Sequence, residues 1–194
     1  TIAVACPFCS VMLHDAVTAR QQDGNAEGVA VTDVASLLLL GATLVINADE
    51  LQREESIPLR QPVTLALCRS IGAHAQLLGE QRALPIAICV RLTGRTVFQV
   101  ALDGSAPIND DWMMKKIRIA EKFHQSTLLV RAEHEADGDD FFAIHGGTPD
   151  FWYPAGGAVC LRDSELNFRG LLVVSGLTQV EDHALCREVL AHFS

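Results

Sequence analysis

Two runs rich in β-forming residues, Pro85–Leu92 and Arg95–Leu102, stand two residues apart, with Thr93-Gly94 between them. A two-residue link of this kind suits a tight hairpin turn whose twist matches the flanking strands, so the chain is committed to an antiparallel ribbon at this point. The segments around it read as helices and further strands. From Val63 to Gln81, the apolar positions Leu65, Leu67, Cys68, Ile71, Ala75 and Leu78 recur every three to four residues, the period of an amphipathic helix that loosens at Gly79. After the ribbon, Asn109 and Asp110 are good N-caps. The run Trp112, Lys116, Ile119, Ala120 and Phe123 then keeps one side of a helix apolar, with the stem of Lys116 at its edge and Lys115, Arg118 and Lys122 opposite.

Ser126–Glu133 suits a strand or a helix extension, and Glu135–Asp140 is acidic and turn-rich. Beyond His145-Gly146-Gly147, Phe151–Leu161 and Phe168–Ser175 read as two strands joined by a polar turn at Asp163 and Ser164. Gln179–Phe193 closes the chain as a helix with Val180, Ala184, Cys186, Val189 and Leu190 on its apolar side. The order helix, hairpin, helix, hairpin, helix is an α+β pattern built on an antiparallel sheet of about five strands flanked by helices.

The first part of the chain has a different character. Ile2–Ala5 reads as a strand, Cys6-Pro7-Phe8-Cys9 as a turn, and Val11–Gln22 as a helix ended by Asp23-Gly24-Asn25. Val29–Leu40 holds a brief strand followed by apolar helix, and Asn47–Gln61 is polar, with Pro58 and Pro62 interrupting regular structure, as in a linker or short surface helix. The expected division is residues 1–41, a linker at 42–56, and a domain at 57–194.

Charge narrows the partners. With 24 acidic and 15 basic residues the net charge is -9, a field that repels phosphate backbones and anionic lipid headgroups, so neither nucleic acid nor a membrane is expected. The longest nearly apolar run, residues 34–46, falls short of the roughly 20 residues that a membrane-spanning helix needs. No segment resembles a secretion signal, and the six cysteines read as reduced thiols of a cytoplasmic protein.

Cys6 and Cys9 have three readings: a dithiol redox couple at a helix N-terminus, half of a metal or iron–sulfur site, or two buried thiols. Cys68, Cys89, Cys160 and Cys186 lie in apolar runs, where cysteine acts as a small hydrophobe. The segment Ala5–Ala16, with Val31–Leu38, resembles the tail of the cysteine-rich CCG domain of heterodisulfide-reductase-like and glycolate-oxidase-like iron–sulfur oxidoreductases. Cys6 and Cys9 match only the final pair of that motif, so the resemblance implies a cluster only if further cysteines come from upstream or from a partner.

A second resemblance covers residues 57–194. Asn109-Asp-Asp-Trp-Met-Met-Lys-Lys-Ile-Arg-Ile-Ala-Glu-Lys-Phe123, Ser126, His145-Gly-Gly147, Val174-Ser-Gly-Leu177 and Glu181-Asp-His183 look like the GlcG/HbpS-like family, in its heme-degrading-domain branch. The resemblance implies a profilin- or PAS-like sheet, a symmetric homo-oligomer, and a small cofactor-sized ligand, with heme first among candidates. Where the family usually reads His-Gly-Gly-x-Phe-Pro-Ile, this chain has His145-Gly-Gly-Thr-Pro-Asp-Phe-Trp.

His145, as heme-iron ligand, is the first candidate, because Gly146 and Gly147 allow the backbone close to a ligand; a loop histidine bonded to backbone is the alternative. His183, in the first turn of the last helix, is second, against a role in capping or oligomer contacts. Lys115, Lys116, Arg118 and Lys122 suit a small anion or a heme propionate, or a solvated face paired with Asp110, Asp111 and Glu121. Asn109, Trp112, Lys116 and Ser175 complete the ligand-binding candidates. The alternatives to a ligand-binding protein are an oligomeric adaptor without cofactor and a redox protein acting through Cys6 and Cys9.

Overall fold

A computed structural model describes residues 2–4, 31–33 and 47–194. The chain divides into two units, Thr1–Ile46 and Asn47–Ser194. In the first unit β1 (Ile2–Val4) and β2 (Val31–Asp33) pair in parallel, Ile2 opposite Val31. The CxxC turn and the helices expected around it lie outside the described residues.

The second unit begins with α1 (Ala48–Glu55), which the polar composition left open between linker and helix. Asn47 caps it by accepting the Asp49 N–H at 3.0 Å, and Leu51 and Glu55 are buried. Next comes α2 (Leu65–Gln81), capped by Thr64 and burying Leu67, Cys68, Ile71 and Ala75 on one face. Gly72 on that face leaves room for the ring of Phe98, which a side chain at 72 would strike.

The hairpin forms where the sequence puts it, as β3 (Ala87–Leu92) and β4 (Arg95–Ala101). Thr93 and Gly94 both take positive φ, 47° and 78°, the type I′ pattern of two-residue hairpins. The chain then leaves the sheet for α3 (Pro107–Phe123), α4 (Thr127–Asp137) and the single turn α5 (Phe141–His145). It returns as β5 (Ala158–Arg162) and β6 (Phe168–Ser175), and ends in α6 (Gln179–Ala191).

The sheet has four strands in the order β4-β3-β6-β5, every neighbour antiparallel. This is one fewer than about five because Ser126–Glu133, open between strand and helix, is helix. The strand expected at Phe151–Leu161 is also shorter, starting at Ala158, because the aromatic residues before it turn away to pack on α3. The alternation of the strands divides the core into two layers. Ile88, Val90, Val159, Leu161, Leu172 and Val174 face α2 and α6, while Ala87, Cys89, Ala158, Cys160, Leu171 and Val173 face α3. A third, smaller cluster joins Ile119, Val130, Phe141 and Trp152 beneath α4 and α5.

Two helix boundaries differ from the sequence reading. Ser126–Glu133 is helix, with Ser126 as the N-cap of α4. For α3 the cap is Ala106 and Pro107 fills the first turn; Asn109 sits three residues in, where its Oδ1 accepts the Ala106 N–H at 2.7 Å.

Candidate functional site

Lys116 lies on the apolar side of α3, and the packing carries it further inward than the edge. Its side chain is 3% exposed, and its ammonium donates to Asp182 Oδ2 at 2.7 Å and to the Val174 carbonyl at 2.9 Å. Asp182, 2% exposed in the first turn of α6, also accepts the Leu177 N–H through Oδ1 at 3.1 Å. Burial pushes the Asp182 carboxyl above its usual range, and Lys116 opposes that shift. Gly157, at φ 116°, presses its backbone against the pair: a Cβ there would stand 2.7 Å from Lys116 Nζ and 2.6 Å from the Val174 oxygen.

The pair floors a surface groove of about 290 Å³ between α3 and the junction of β6 with α6. Four of the candidate residues meet here: Asn109, Trp112, Lys116 and Ser175. Ser175 is 2% exposed, and no described residue hydrogen-bonds to its hydroxyl. Asp182 is the residue that sequence reasoning missed. The available signal was a lysine at an apolar position of a helix, which requires a buried counter-charge somewhere in the fold.

His145 is elsewhere, at the end of α5. Its Nε2 faces the Nε2 of His134, at 2.9 Å, and its ring packs edge-on against Phe123 and tilted against Phe141. His134 Nδ1 donates to the Val130 carbonyl at 2.7 Å. With both rings neutral, this leaves His134 Nε2 as acceptor, His145 Nε2–H as donor and His145 Nδ1 as a lone pair with no partner among the described residues. Burial, with His134 and Lys122 adding to it, holds the His145 imidazole below its ordinary value. Gly146 and Gly147 both have positive φ; Gly146 is open on the side a Cβ would occupy, while Gly147 backs onto Trp152, whose indole donates to the Gly146 carbonyl at 3.1 Å. His134 is thus the second histidine of this cluster.

His183 joins neither place. It is buried, and its Nε2 meets Glu54 Oε2 of α1 at 2.9 Å, while its Nδ1 has no partner among the described residues. That hydrogen bond, more than anything else, holds the Glu54 carboxyl below its usual range. The helix is capped instead by Thr178, with Glu181 returning to the Thr178 N–H at 3.0 Å.

The expected basic cluster is divided. Lys116 points into the core, while Lys115 lies over Trp112 at 4.6 Å, Arg118 over Phe151 at 4.5 Å and Lys122 over Trp152 at 4.6 Å. Aromatic faces, rather than the neighbouring carboxylates alone, are the partners of this side of α3. Cys6 and Cys9 lie outside the described residues. Cys68, Cys89, Cys160 and Cys186 are buried free thiols, and burial pushes each of them up. Among the described residues no group of three or more His, Cys, Asp or Glu is placed to hold a metal ion. No helix among them is long and apolar enough to cross a membrane.

The family model described as "Haem degrading protein HbpS-like" matches residues 63–191. The chain belongs to the HbpS-like family. Its relatives include a UPF0303 protein of Streptomyces avermitilis, 39% identical over 116 residues, which span 60% of this chain and 71% of the relative. A UPF0303 protein of Streptomyces coelicolor is 35% identical over 124 residues, 64% of this chain and 78% of the relative. Among solved structures, the Ybr137w protein superposes with TM-score 0.71 at 22% identity, over 81% of this HbpS-like chain and 94% of that one. A double mutant of Streptomyces reticuli HbpS gives 0.55 at 17%, over 72% and 92%. The PduOC:heme complex gives 0.55 at 15%, over 68% and 94%. These three share the fold.

Proposed function

We propose that this protein binds a small cofactor-sized ligand, heme first among candidates, through His145, and works as a homo-oligomer in the cytoplasm. The observation that carries the reading is the geometry of His145: a half-buried imidazole whose Nε2 is held by His134 at 2.9 Å and whose Nδ1 has no partner among the described residues; burial also lowers its pKa. A neutral imidazole is the form that ligates iron. Phe123 packs edge-on against His145, with the buried Phe141 and Trp152 behind it, and Lys122 and Arg118 are the cations on that side of α3 that propionates would pair with.

The family and the PduOC:heme neighbour support the same class of ligand. When bound, heme supplies the iron chemistry. The chain's own part is to hold the ring on His145, with His134 fixing the imidazole from its far nitrogen, and to keep water from the aromatic side. A second subunit would cover what this chain leaves open of the ligand. Exposed Ile144 and Phe151 beside this cluster, both 54% exposed, and Ile108 and Met114 on α3 give that subunit apolar surface to cover. Four free buried thiols accord with a reducing compartment.

Titration of the purified protein with hemin tests the reading. A shifted Soret band that is lost in His145→Ala, and protection of His145 from chemical modification, are the expected results. Absence of both the shift and the protection removes heme from the proposal. Sedimentation at several concentrations tests the oligomer, and a monomer throughout would leave the exposed apolar residues without that role.

A further inference from the structure

The groove above Lys116 and Asp182 shares no residue with the His145 cluster and is too small for heme. At about 290 Å³ it lies at the lower end of the range for small-molecule pockets, roughly 300–1,000 Å³. Its polar lining is Asn109, Lys116, Ser175, Gln179 and Asp182, and the hydrogen-bonding capacity left unspent there is mostly that of donors. Lys116 has three N–H donors and two protein acceptors, Val174 O and Asp182 Oδ2, so one donor is unspent. Ser175, 2% exposed on the wall, has a hydroxyl that no described residue engages. Asn109 spends its Oδ1 on the Ala106 N–H, which leaves its amide NH₂ as the group for the groove. The acceptors close by are committed: both Asp182 oxygens already take protein donors.

Unmatched donors around a buried ammonium call for an occupant that brings acceptors, and the apolar lining from Ile108, Trp112 and Leu177 calls for one with an apolar body. We propose that this groove is a second binding site, for small monocarboxylates, whose two oxygens accept from Lys116, Ser175 and Asn109. A carboxylate offers about four lone-pair positions in one plane, enough for all three donors. A phosphate dianion is disfavoured, since the one cation present is already shared with Asp182. A neutral amide brings a single acceptor oxygen to three donors.

Calorimetric titration of the full chain with sodium benzoate, against benzamide and inorganic phosphate, tests the site. Benzoate saturates at one per chain and outcompetes the other two. Ser175→Ala, which leaves no orphaned polar group and melts with the wild type, weakens benzoate about tenfold, the loss of one hydrogen bond to a charged group. Asn109→Asp keeps the oxygen that caps α3 and replaces the amide donor by a repelling carboxylate, so it weakens benzoate further. No saturable heat, benzamide or phosphate binding as well as benzoate, or unchanged affinity in both variants would each overturn the proposal. Hemin and benzoate are read in separate titrations, so either site can fail alone.

Discussion

His134 and His145 meet nitrogen to nitrogen at 2.9 Å, and the ring of Phe141 contacts both. Two imidazolium ions could not hold that contact. Because the folded-state pKa of His145 is depressed, the stability it contributes is complete above its unfolded value of 6.5 and is lost as pH falls through the lower folded value. NMR titration of the ring should therefore give a midpoint below 6.5. In His134→Ala the midpoint should rise, since one cause is gone while burial and Lys122 remain; an unchanged midpoint would mean that His134 has no part in setting it.

The Lys116–Asp182 pair predicts an asymmetry. Removing one partner of a buried pair costs about 3–5 kcal/mol, and the stranded group decides how much of that is relieved. Asp182→Ala strands an ammonium, whereas Lys116→Met strands a carboxyl already pushed upward, which can take a proton. An acid with a raised folded pKa contributes stability that is full below its unfolded value and lost as pH rises through the folded one. The penalty of Lys116→Met should thus shrink on acidification, and urea denaturation at a series of pH values reads this. A penalty independent of pH would show that Asp182 stays ionised without its partner.

Gly157 should resist substitution. Gly157→Ala forces a Cβ to 2.6 Å from the Val174 oxygen and 2.7 Å from both Lys116 Nζ and Asp182 Cβ, at a φ of 116°. A loss of about 2–4 kcal/mol is expected. Gly138→Ala is the control: it also carries positive φ, 71°, but meets nothing within 4 Å, and should cost about 1 kcal/mol. Equal melting temperatures for the two variants would contradict the close approach.

The start of the domain can be tested by length. Glu55, 8% exposed at the end of α1, accepts the Ser126 N–H at 2.6 Å and pairs with Arg162 at 2.6 Å, while Glu54 meets His183. A chain of residues 57–194 loses these partners and should be less stable than residues 47–194 by about 3 kcal/mol or more. Hydrogen exchange should find the loss around Ser126 and Arg162. Equal stability would make α1 an appendage.

What could be read from sequence was local. Thr93-Gly94 dictates its turn through backbone conformation alone, and Phe168–Ser175 is a strand at the predicted residues because Leu171–Val174 is an unbroken apolar, partly β-branched run at its centre. Phe151 to Tyr153 have equal strand propensity, but their rings have cations and aromatics of α3 to cover, and that tertiary demand prevails over propensity. Asn109, Trp112, Lys116 and Ser175 were named from motifs and lie on one groove, whereas Asp182 and His134 were passed over. Asp182 acquires its role from a residue 66 positions away, and His134 from one 11 positions away on a different helix, and helical periodicity records neither pairing. His183 was named and turned inward, because α1 supplies Glu54 on its other side.

Cys68, Cys89, Cys160 and Cys186 all sit at 6% exposure or less, and their thiols are held in the protonated form. Peroxide and electrophiles attack thiolates, so these four sulfurs are poor targets for either. Samples of the folded domain can pass between air and reductant with this part of the interior chemically unchanged, and alkylation of any of the four reports that the core between sheet and helices has opened.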